Sequence, residues 1–311
     1  MPRGSRFVTP RARACMAAGL LVTGSAYALG APGARPPEEV SVGPQYDSTH
    51  VYVESAAYDA FVASFIATFG GKASARLTTT VTPVPSSTQF QYLMTPVGTL
   101  STFAFQTPIP YPFGLERTGW LVTDMDAALS AARRAGAAVV VDKFKDPIGY
   151  DAVIEWPGGV RMQLYWHFTP PAYPPLRSVP ENRIYLSPDT VQAFVRSFLG
   201  FSHGRVISDE ARADGGEIGR AGQRYRRVRI ECGFGRLQLM VTDGHLPYPF
   251  GHEITGYEVA DLDATLAKAR GSGAHVLAGR YDSSDRSSAM VQFPGGYIAE
   301  IHTATPGRAT P

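Results

Sequence analysis

One phrase occurs twice in this sequence: PYPFGLERTGWLVTDMDAAL at residues 110–129 and PYPFGHEITGYEVADLDATL at residues 247–266. The offset of 137 residues continues without a gap as far as the two Pro-Gly-Gly stretches. Upstream, HVYVESAAYDAFVASFIATFGG matches RIYLSPDTVQAFVRSFLGFSHG at an offset of 133. Such long self-similarity indicates a duplication. It predicts a first copy at 46–170 and a second copy at 183–305, joined by a Pro-rich linker at 171–182.

Each copy is itself composed of two similar halves. The first half begins with the alternating strand HVYVE, continues with an amphipathic helix and ends with three strand-like runs. The second half begins with TGWLV, has a helix between Asp124 and Gly136, and again ends with three strands. The sequence therefore predicts an α+β fold of tandem domains, each built from two paired βαβββ modules that form an open curved sheet around a cavity.

The N-terminal residues differ in composition from the rest of the chain. Four arginines without an acidic residue precede a small-residue and apolar run, which ends at Ala26-Tyr27-Ala28. This pattern predicts a signal peptide at 1–28, followed by a flexible leader at 29–45; a short tail at 306–311 ends the chain. We therefore expect an exported protein, either periplasmic or secreted.

The composition of the remaining chain excludes several classes of protein. Cleavage after Ala28 leaves 25 basic and 27 acidic residues, a net charge of −2, which argues against nucleic-acid binding. No later run of about 18 apolar residues is present, so no stable membrane insertion is expected. Cys232 alone cannot close an internal disulfide, and its strand-like context indicates a core residue rather than a reactive thiol. No P-loop or dinucleotide fingerprint is present, so no nucleotide cofactor is expected.

The repeated motifs resemble those of a known superfamily. The carrying stretches are TGYEVADLDATLAKARGSGAHV and AMVQFPGGYIAEIHT, with first-copy versions TGWLVTDMDAALSAARRAGAAV and AVIEWPGGVRMQLYW. These resemble the vicinal-oxygen-chelate superfamily, which includes glyoxalase I, the bleomycin-resistance proteins and the extradiol dioxygenases. The resemblance covers nearly all of the chain after the leader, and its four modules are similar to the two-domain members.

The resemblance implies metal ligands on the first and last strands of the modules. In the first copy, the matching candidates are His50, Glu116 and Gln163. In the second copy, Glu300 stands at the family's glutamate position and His252 lies near another ligand position. Asp243 and His245 are further candidates.

The second copy also departs from the family pattern, because Arg183 stands where the first copy has His50. This leaves two alternative expectations for Glu300 and Arg183. They are either catalytic groups or partners in an ion pair that replaces a metal. Neither copy has a complete set of two histidines and one carboxylate at the expected positions, which counts against a dioxygenase.

The functional expectation is an exported, divalent-metal-dependent enzyme of the lyase, isomerase or dioxygenase type, acting on a small oxygen-rich molecule. Fe, Mn, Ni, Co and Zn all suit such ligands. One alternative is a metal-free protein that binds or sequesters a small molecule, like the bleomycin-resistance members, and another is a scaffold with degenerate sites. We expect a monomer or a homodimer. The PIPYPFG and HLPYPFG segments are interpreted as rigid linkers between modules rather than as pocket walls.

Overall fold

The computed structural model describes residues 39–242 and 252–304. The predicted signal peptide, most of the leader, the tail, Asp243 and His245 lie outside these residues. The described part of the chain contains two curved sheets and four helices, in the predicted order of four βαβββ modules. No helix within it is long and apolar enough to cross a membrane.

The first copy forms one nine-stranded sheet with the order β2-β4-β5-β1-β6-β9-β8-β7, in which β3 also pairs with β4. Its elements are β1 (Ser48–Tyr52), α1 (Tyr58–Phe69), β2 (Lys72–Ala73), β3 (Leu77–Thr79), β4 (Thr88–Thr95), β5 (Gly98–Phe105), β6 (Thr118–Leu121), α2 (Met125–Arg134), β7 (Ala138–Lys145), β8 (Gly149–Trp156) and β9 (Val160–His167).

The second copy forms an eight-stranded sheet with the order β11-β12-β13-β10-β14-β17-β16-β15. Its elements are β10 (Glu181–Leu186), α3 (Val191–Ser202), β11 (Arg205–Asp214), β12 (Arg224–Cys232), β13 (Gly235–Val241), β14 (Glu253–Glu258), α4 (Leu262–Gly271), β15 (His275–Asp282), β16 (Arg286–Gln292) and β17 (Ile298–Ala304).

The repeated Asp residues begin the second helix of each copy. The Asp124 carboxylate accepts a hydrogen bond from the Ala127 amide at 2.7 Å, and Asp261 does the same for Ala264 at 2.9 Å. An aspartate in this position satisfies one of the amides that a helix N-terminus leaves unpaired. The two central strands of each sheet are antiparallel, and this pairing joins the two modules of a copy.

Residue alternation along the strands separates a helix-covered face from a cavity face. On β9, Met162 and Leu164 lie in the hydrophobic core, whereas Gln163 and Tyr165 line a cavity. On β17, Ile301 belongs to the core and its neighbours along the strand point to the opposite face.

The hydrophobic cores are shared between the two copies. One core joins α2 and β6 of the first copy to α3 and β13 of the second, and Trp120 stacks on Phe234 with ring centroids 4.3 Å apart. The other joins α1 of the first copy to α4 of the second, where Phe65 packs against Tyr257. The helices of one copy are therefore buried by the helices and strands of the other.

Candidate active site

The concave face of the first sheet encloses a cavity of about 150 Å³, the first cavity. Strands from both modules of the first copy supply its walls, and most of the lining is aromatic or aliphatic. Polar side chains reach into it from β1, β8 and β9, among them His50, Asp151 and Gln163. A mostly apolar cavity with a few convergent polar groups is the usual form of a small-molecule site.

His50 lies on β1, and its side chain extends over the neighbouring strand β6 at Gly119. A Cβ atom at Gly119 would lie only 2.4 Å from Nε2 of His50 and 2.9 Å from Oγ of Ser48. Glycine is therefore needed here to leave room for the imidazole. Phe103 packs edge-on against the His50 ring with centroids 5.4 Å apart, so the ring is held in place by its neighbours.

Glu116 precedes β6 and is fully buried beside His50. Its Oε1 atom lies 3.8 Å from His50 Nδ1 and accepts a hydrogen bond from the Tyr52 hydroxyl. Burial, together with the charge of Glu116, raises the pKa of Tyr52 well above its usual value, so Tyr52 remains a neutral donor. Within the described residues, neither His50 Nδ1 nor Glu116 Oε2 has a hydrogen-bond partner.

Gln163 and Asp151 lie on the adjacent strands β9 and β8. Gln163 is level with Gly119 across the β6–β9 pairing, which places it beside the strand that His50 crosses. Burial and the nearby charge of Asp146 raise the pKa of Asp151 well above its usual value, although a hydrogen bond from Gln163 opposes the shift. The raised pKa favours the protonated form of the Asp151 carboxyl group, which can donate a hydrogen bond or a proton.

The PYPFG segment of the first copy contributes to this cavity. Phe113 is buried and lines it, whereas Tyr111 is mostly exposed. The segment connects two modules as predicted, and it also walls a pocket. The second PYPFG segment lies outside the described residues.

The concave face of the second sheet contains an ionic network. Arg183 Nη1 lies 3.5 Å from Oε1 of Glu300 and 3.1 Å from Oε1 of Glu181, and all three residues are buried. His302 Nδ1 lies 2.7 Å from Oε2 of Glu300. Burial alone would raise the pKa of Glu300, but His302 and Arg183 hold it below its usual value. Glu300 is thus a carboxylate held by neighbouring nitrogen groups.

The network extends along the second sheet. Arg286 donates two hydrogen bonds to Glu181, and Arg227 donates two to Glu217. Here too a glycine makes room, since a Cβ atom at Gly256 would lie 2.7 Å from Glu300 Oε2. Gly256 is the counterpart of Gly119.

His252 lines a pocket of about 320 Å³, and fully buried Glu300 is not among the residues that line it. This pocket is lined by residues of both copies, including Leu115, the first-copy counterpart of His252. Burial lowers the pKa of His252, so its imidazole is mainly neutral. The neighbouring Glu253 accepts a hydrogen bond from Thr118 at 2.5 Å, and burial raises its pKa to about 7.

The donor sets of the two copies differ in their fit to a divalent cation. Within residues 39–242 and 252–304, no three His, Cys, Asp or Glu side chains are grouped to hold a metal. In the first copy, His50 and Glu116 supply an unpartnered imidazole nitrogen and carboxylate oxygen, and the amide of Gln163 is a further donor of suitable type. In the second copy, the guanidinium of Arg183 beside Glu300 does not fit a cation. The catalytic roles predicted for Glu300 and Arg183 stay predictions.

Two cavity residues were missed in the sequence. Asp151 directly precedes the apolar run Ala152–Ile154 in the strand YDAVIEW, and an acid beside such a run was the available signal. Tyr52 lies two residues after His50 on the same face of β1. Cys232 agrees with its interpretation as an inert residue, because burial raises its pKa to about 12.

Comparison with solved structures shows similar chains of the same architecture. A mutant of 4-hydroxymandelate synthase from Streptomyces coelicolor has a TM-score of 0.58 and 14% identity, over 88% of this chain and 94% of that one. The 2,2',3-trihydroxybiphenyl 1,2-dioxygenase from Sphingomonas wittichii has a TM-score of 0.52 and 12% identity, over 86% and 91% of the two chains.

A Mn(II)-bound glyoxalase from Novosphingobium aromaticivorans has a TM-score of 0.50 and 13% identity, over 82% of this chain and 80% of that one. No family model and no curated protein sequence matches the chain. At these identities the similarity concerns the fold. The chain therefore shares the fold of these proteins, with four βαβββ modules in two copies, as the resemblance to the vicinal-oxygen-chelate superfamily predicted.

Proposed function

We propose that the protein is an exported enzyme of the lyase or isomerase type, which acts on a small oxygen-containing molecule in the first cavity. The observation that carries this proposal is a pair of buried polar atoms, Nδ1 of His50 and Oε2 of Glu116, that have no hydrogen-bond partner among the described residues. Their side chains approach to 3.8 Å between Nδ1 and Oε1, and His50 lines the mostly apolar cavity with Glu116 buried beside it. Buried polar atoms of this kind cost free energy unless something binds them.

The same residues would hold a divalent cation. His50 and Glu116 would be its ligands, with Gln163 as the third, and Tyr52 would orient Glu116 through its hydrogen bond. A cation bound there would act as a Lewis acid toward a substrate oxygen. The Mn(II)-bound glyoxalase of the same fold supports this assignment.

The remaining cavity residues suit proton transfer. The raised pKa of Asp151 favours its protonated form, and the side chain lines the cavity, so it would donate a proton to the substrate. Burial lowers the pKa of His167, which also lines the cavity, and keeps its imidazole neutral and able to accept a proton. The aromatic walls would exclude water and hold the substrate in one orientation.

A second candidate function is metal-free binding of a small apolar ligand. It is favoured by the lining, in which Phe90, Phe103 and Phe113 surround the polar groups. It is favoured also because one oxygen of Glu116 already accepts the Tyr52 hydrogen bond.

Elemental analysis of the mature protein, purified without a chelator or a metal-affinity tag, separates the two functions. We expect about one divalent ion per chain, lost in His50→Ala and in Glu116→Gln and kept in the matched second-copy variant Glu300→Gln. No metal after reconstitution with Mn, Fe, Co, Ni and Zn would exclude the metalloenzyme and leave the binding function.

Export is tested separately. The full chain is expressed in a bacterium, and the N-terminus of the protein recovered outside the cytoplasm is sequenced. We expect it to begin at Leu29, because Ala26 and Ala28 form the small-residue cleavage signature. Recovery of the uncleaved chain in the cytoplasm would contradict export.

A further inference from the structure

The linker between the two copies forms part of the wall of the first cavity. Tyr173 lies in the Pro-rich stretch that follows β9. It lines the cavity although it belongs to neither sheet. Its ring centroid lies 5.9 Å from that of Tyr92 on β4 and 6.3 Å from that of Tyr46, which directly follows the leader. Linker, leader and sheet therefore meet at one side of the cavity.

Hydrogen bonds fasten the linker in this position. The side chain of Gln45 donates to the carbonyl of Pro174 at 2.6 Å and accepts from the amide of Leu176 at 2.9 Å. Further along, the Arg177 amide donates to the Pro96 carbonyl at 2.7 Å. Prolines restrict the backbone of the linker, so less conformational entropy is lost when it is held against the sheet.

The aromatic groups at this wall are neutral hydrogen-bonding groups. Burial, followed by interaction with Tyr173, raises the pKa of Tyr92, and burial raises the pKa of Tyr173. Tyr165 donates its hydroxyl hydrogen bond to the backbone carbonyl of Tyr46, which ties the leader to β9. No Lys or Arg is found among the described residues that line the cavity.

We propose that Tyr173 is a specificity-determining residue of the first cavity, and that the linker sets the largest ligand the cavity admits. The inference rests on the proposed function, in which the first cavity is the ligand site. A cavity of about 150 Å³ has the size that holds a single benzene ring in a protein interior. The Tyr173 ring lies on the side of the cavity formed with Tyr92, so removal of the ring would enlarge the cavity on that side.

The first test measures access to the cavity and needs no ligand. Diethyl pyrocarbonate modification of His50 is followed by mass spectrometry in the wild type, Tyr173→Ala, Tyr173→Phe and Gln45→Ala. Exposed His275 in the second copy serves as the internal reference. We expect faster modification of His50 in Tyr173→Ala and in Gln45→Ala, and an unchanged rate in Tyr173→Phe. Equal rates in all four proteins, relative to His275, would overturn the proposal.

The second test measures size selection with two probes, phenol and 2-naphthol, by isothermal titration calorimetry. The affinity for 2-naphthol relative to phenol is expected to rise about tenfold in Tyr173→Ala and to stay unchanged in Tyr173→Phe. An unchanged ratio in Tyr173→Ala would overturn the role in specificity. A third outcome is that no variant binds either probe while His50 becomes more reactive in Tyr173→Ala. This would confirm Tyr173 as a wall of the cavity and contradict the proposed function of the cavity as a ligand site.

Discussion

Arg183 and Glu300 lie 3.5 Å apart at the two positions that His50 and Gln163 occupy in the first copy. The same backbone frame thus holds a cavity lined by His50 and Gln163 in one copy and a buried ion pair in the other. In the second copy a guanidinium stands in place of an imidazole and brings a positive charge beside Glu300. This difference places the proposed chemistry in the first copy.

The ion pair of the second copy is expected to matter for stability. Glu300→Gln removes the charge that Arg183 and His302 face, and leaves buried cationic groups less well compensated. We expect the free energy of unfolding to fall by about 3 kcal/mol, because breaking a buried pair is costly. Urea denaturation, monitored by circular dichroism, measures this free energy of unfolding. Lys143→Met, which breaks the exposed pair with Asp126, is the control and should change little. An equally small effect of Glu300→Gln would contradict the prediction.

Gly119 is expected to be essential for the site. Gly119→Ala places a methyl group 2.4 Å from His50 Nε2, so the imidazole must leave its present position. We expect metal or ligand binding to be lost, as measured by elemental analysis or calorimetry, while circular dichroism still shows a folded protein.

Gly200→Ala is the matched control for this substitution. Gly200 lies in α3, and its added methyl group would meet only Ala135 Cβ at 3.8 Å. Alanine is the better helix former, so this variant should be as stable as the wild type or slightly more so. If Gly119→Ala still binds metal or ligand, binding does not depend on the present position of His50.

The stability of the protein should decrease as the pH rises through the range in which Glu253 titrates. Burial raises the pKa of Glu253 to about 7 from an ordinary value of 4.5, so the folded protein binds more protons than the unfolded chain between these values. The contribution of Glu253 is complete below pH 4.5 and is lost as the pH rises to about 7. It amounts to about 3 kcal/mol, since each pH unit corresponds to about 1.36 kcal/mol per proton.

The buried acids Asp47 and Asp151, whose pKa values are also raised, contribute with the same sign, so the informative measurement is a difference. Urea denaturation between pH 4.5 and 8 is compared for the wild type, Glu253→Gln and the control Glu54→Gln, which changes an exposed residue. The slope should be smaller in Glu253→Gln alone. The same slope in all three proteins would show that Glu253 does not titrate in this range.

The two copies are expected to unfold together. All three tryptophans, Trp120, Trp156 and Trp166, belong to the first copy, and Phe198 of the second copy packs against Trp120 and Trp156. Phe198→Ala should lower the stability by about 3–5 kcal/mol, because it opens a space in the shared core. The tryptophan fluorescence and circular dichroism transitions should shift together. Leu277→Ala, an exposed second-copy change, is the control. If the tryptophan fluorescence transition is unchanged in Phe198→Ala, the two copies unfold independently.

Much of the fold followed from local patterns. The duplicated phrase, the repeated aspartates before α2 and α4, and the alternation along β9 and β17 all depend on neighbours close in sequence. The βαβββ order and the helix starts were therefore predicted correctly. Three strand-like runs were expected after the first helix, but the structure has four strands there, because two short stretches, β2 and β3, each pair with β4.

The candidate site could be predicted only in part. The positions of His50, Glu116 and Gln163 came from the resemblance, and the structure brings His50 and Glu116 to within 3.8 Å. The sequence did not show that His252 and Glu300 have different surroundings. The position of a residue along the chain does not determine which distant side chains it will contact. Tyr173 was treated as linker, because a loop residue has no periodicity that would assign it to a cavity.

By itself, the sequence determined that four βαβββ modules arise from a duplicated pair, because strand and helix periodicity and capping are properties of short segments. Only the tertiary structure decided that each hydrophobic core is built from both copies, that Arg183 closes on Glu300, and that Tyr173 of the linker walls the first cavity. These are contacts between residues far apart in the chain. They depend on how the curved sheets and their helices pack, and that packing has no signature in any single stretch of sequence.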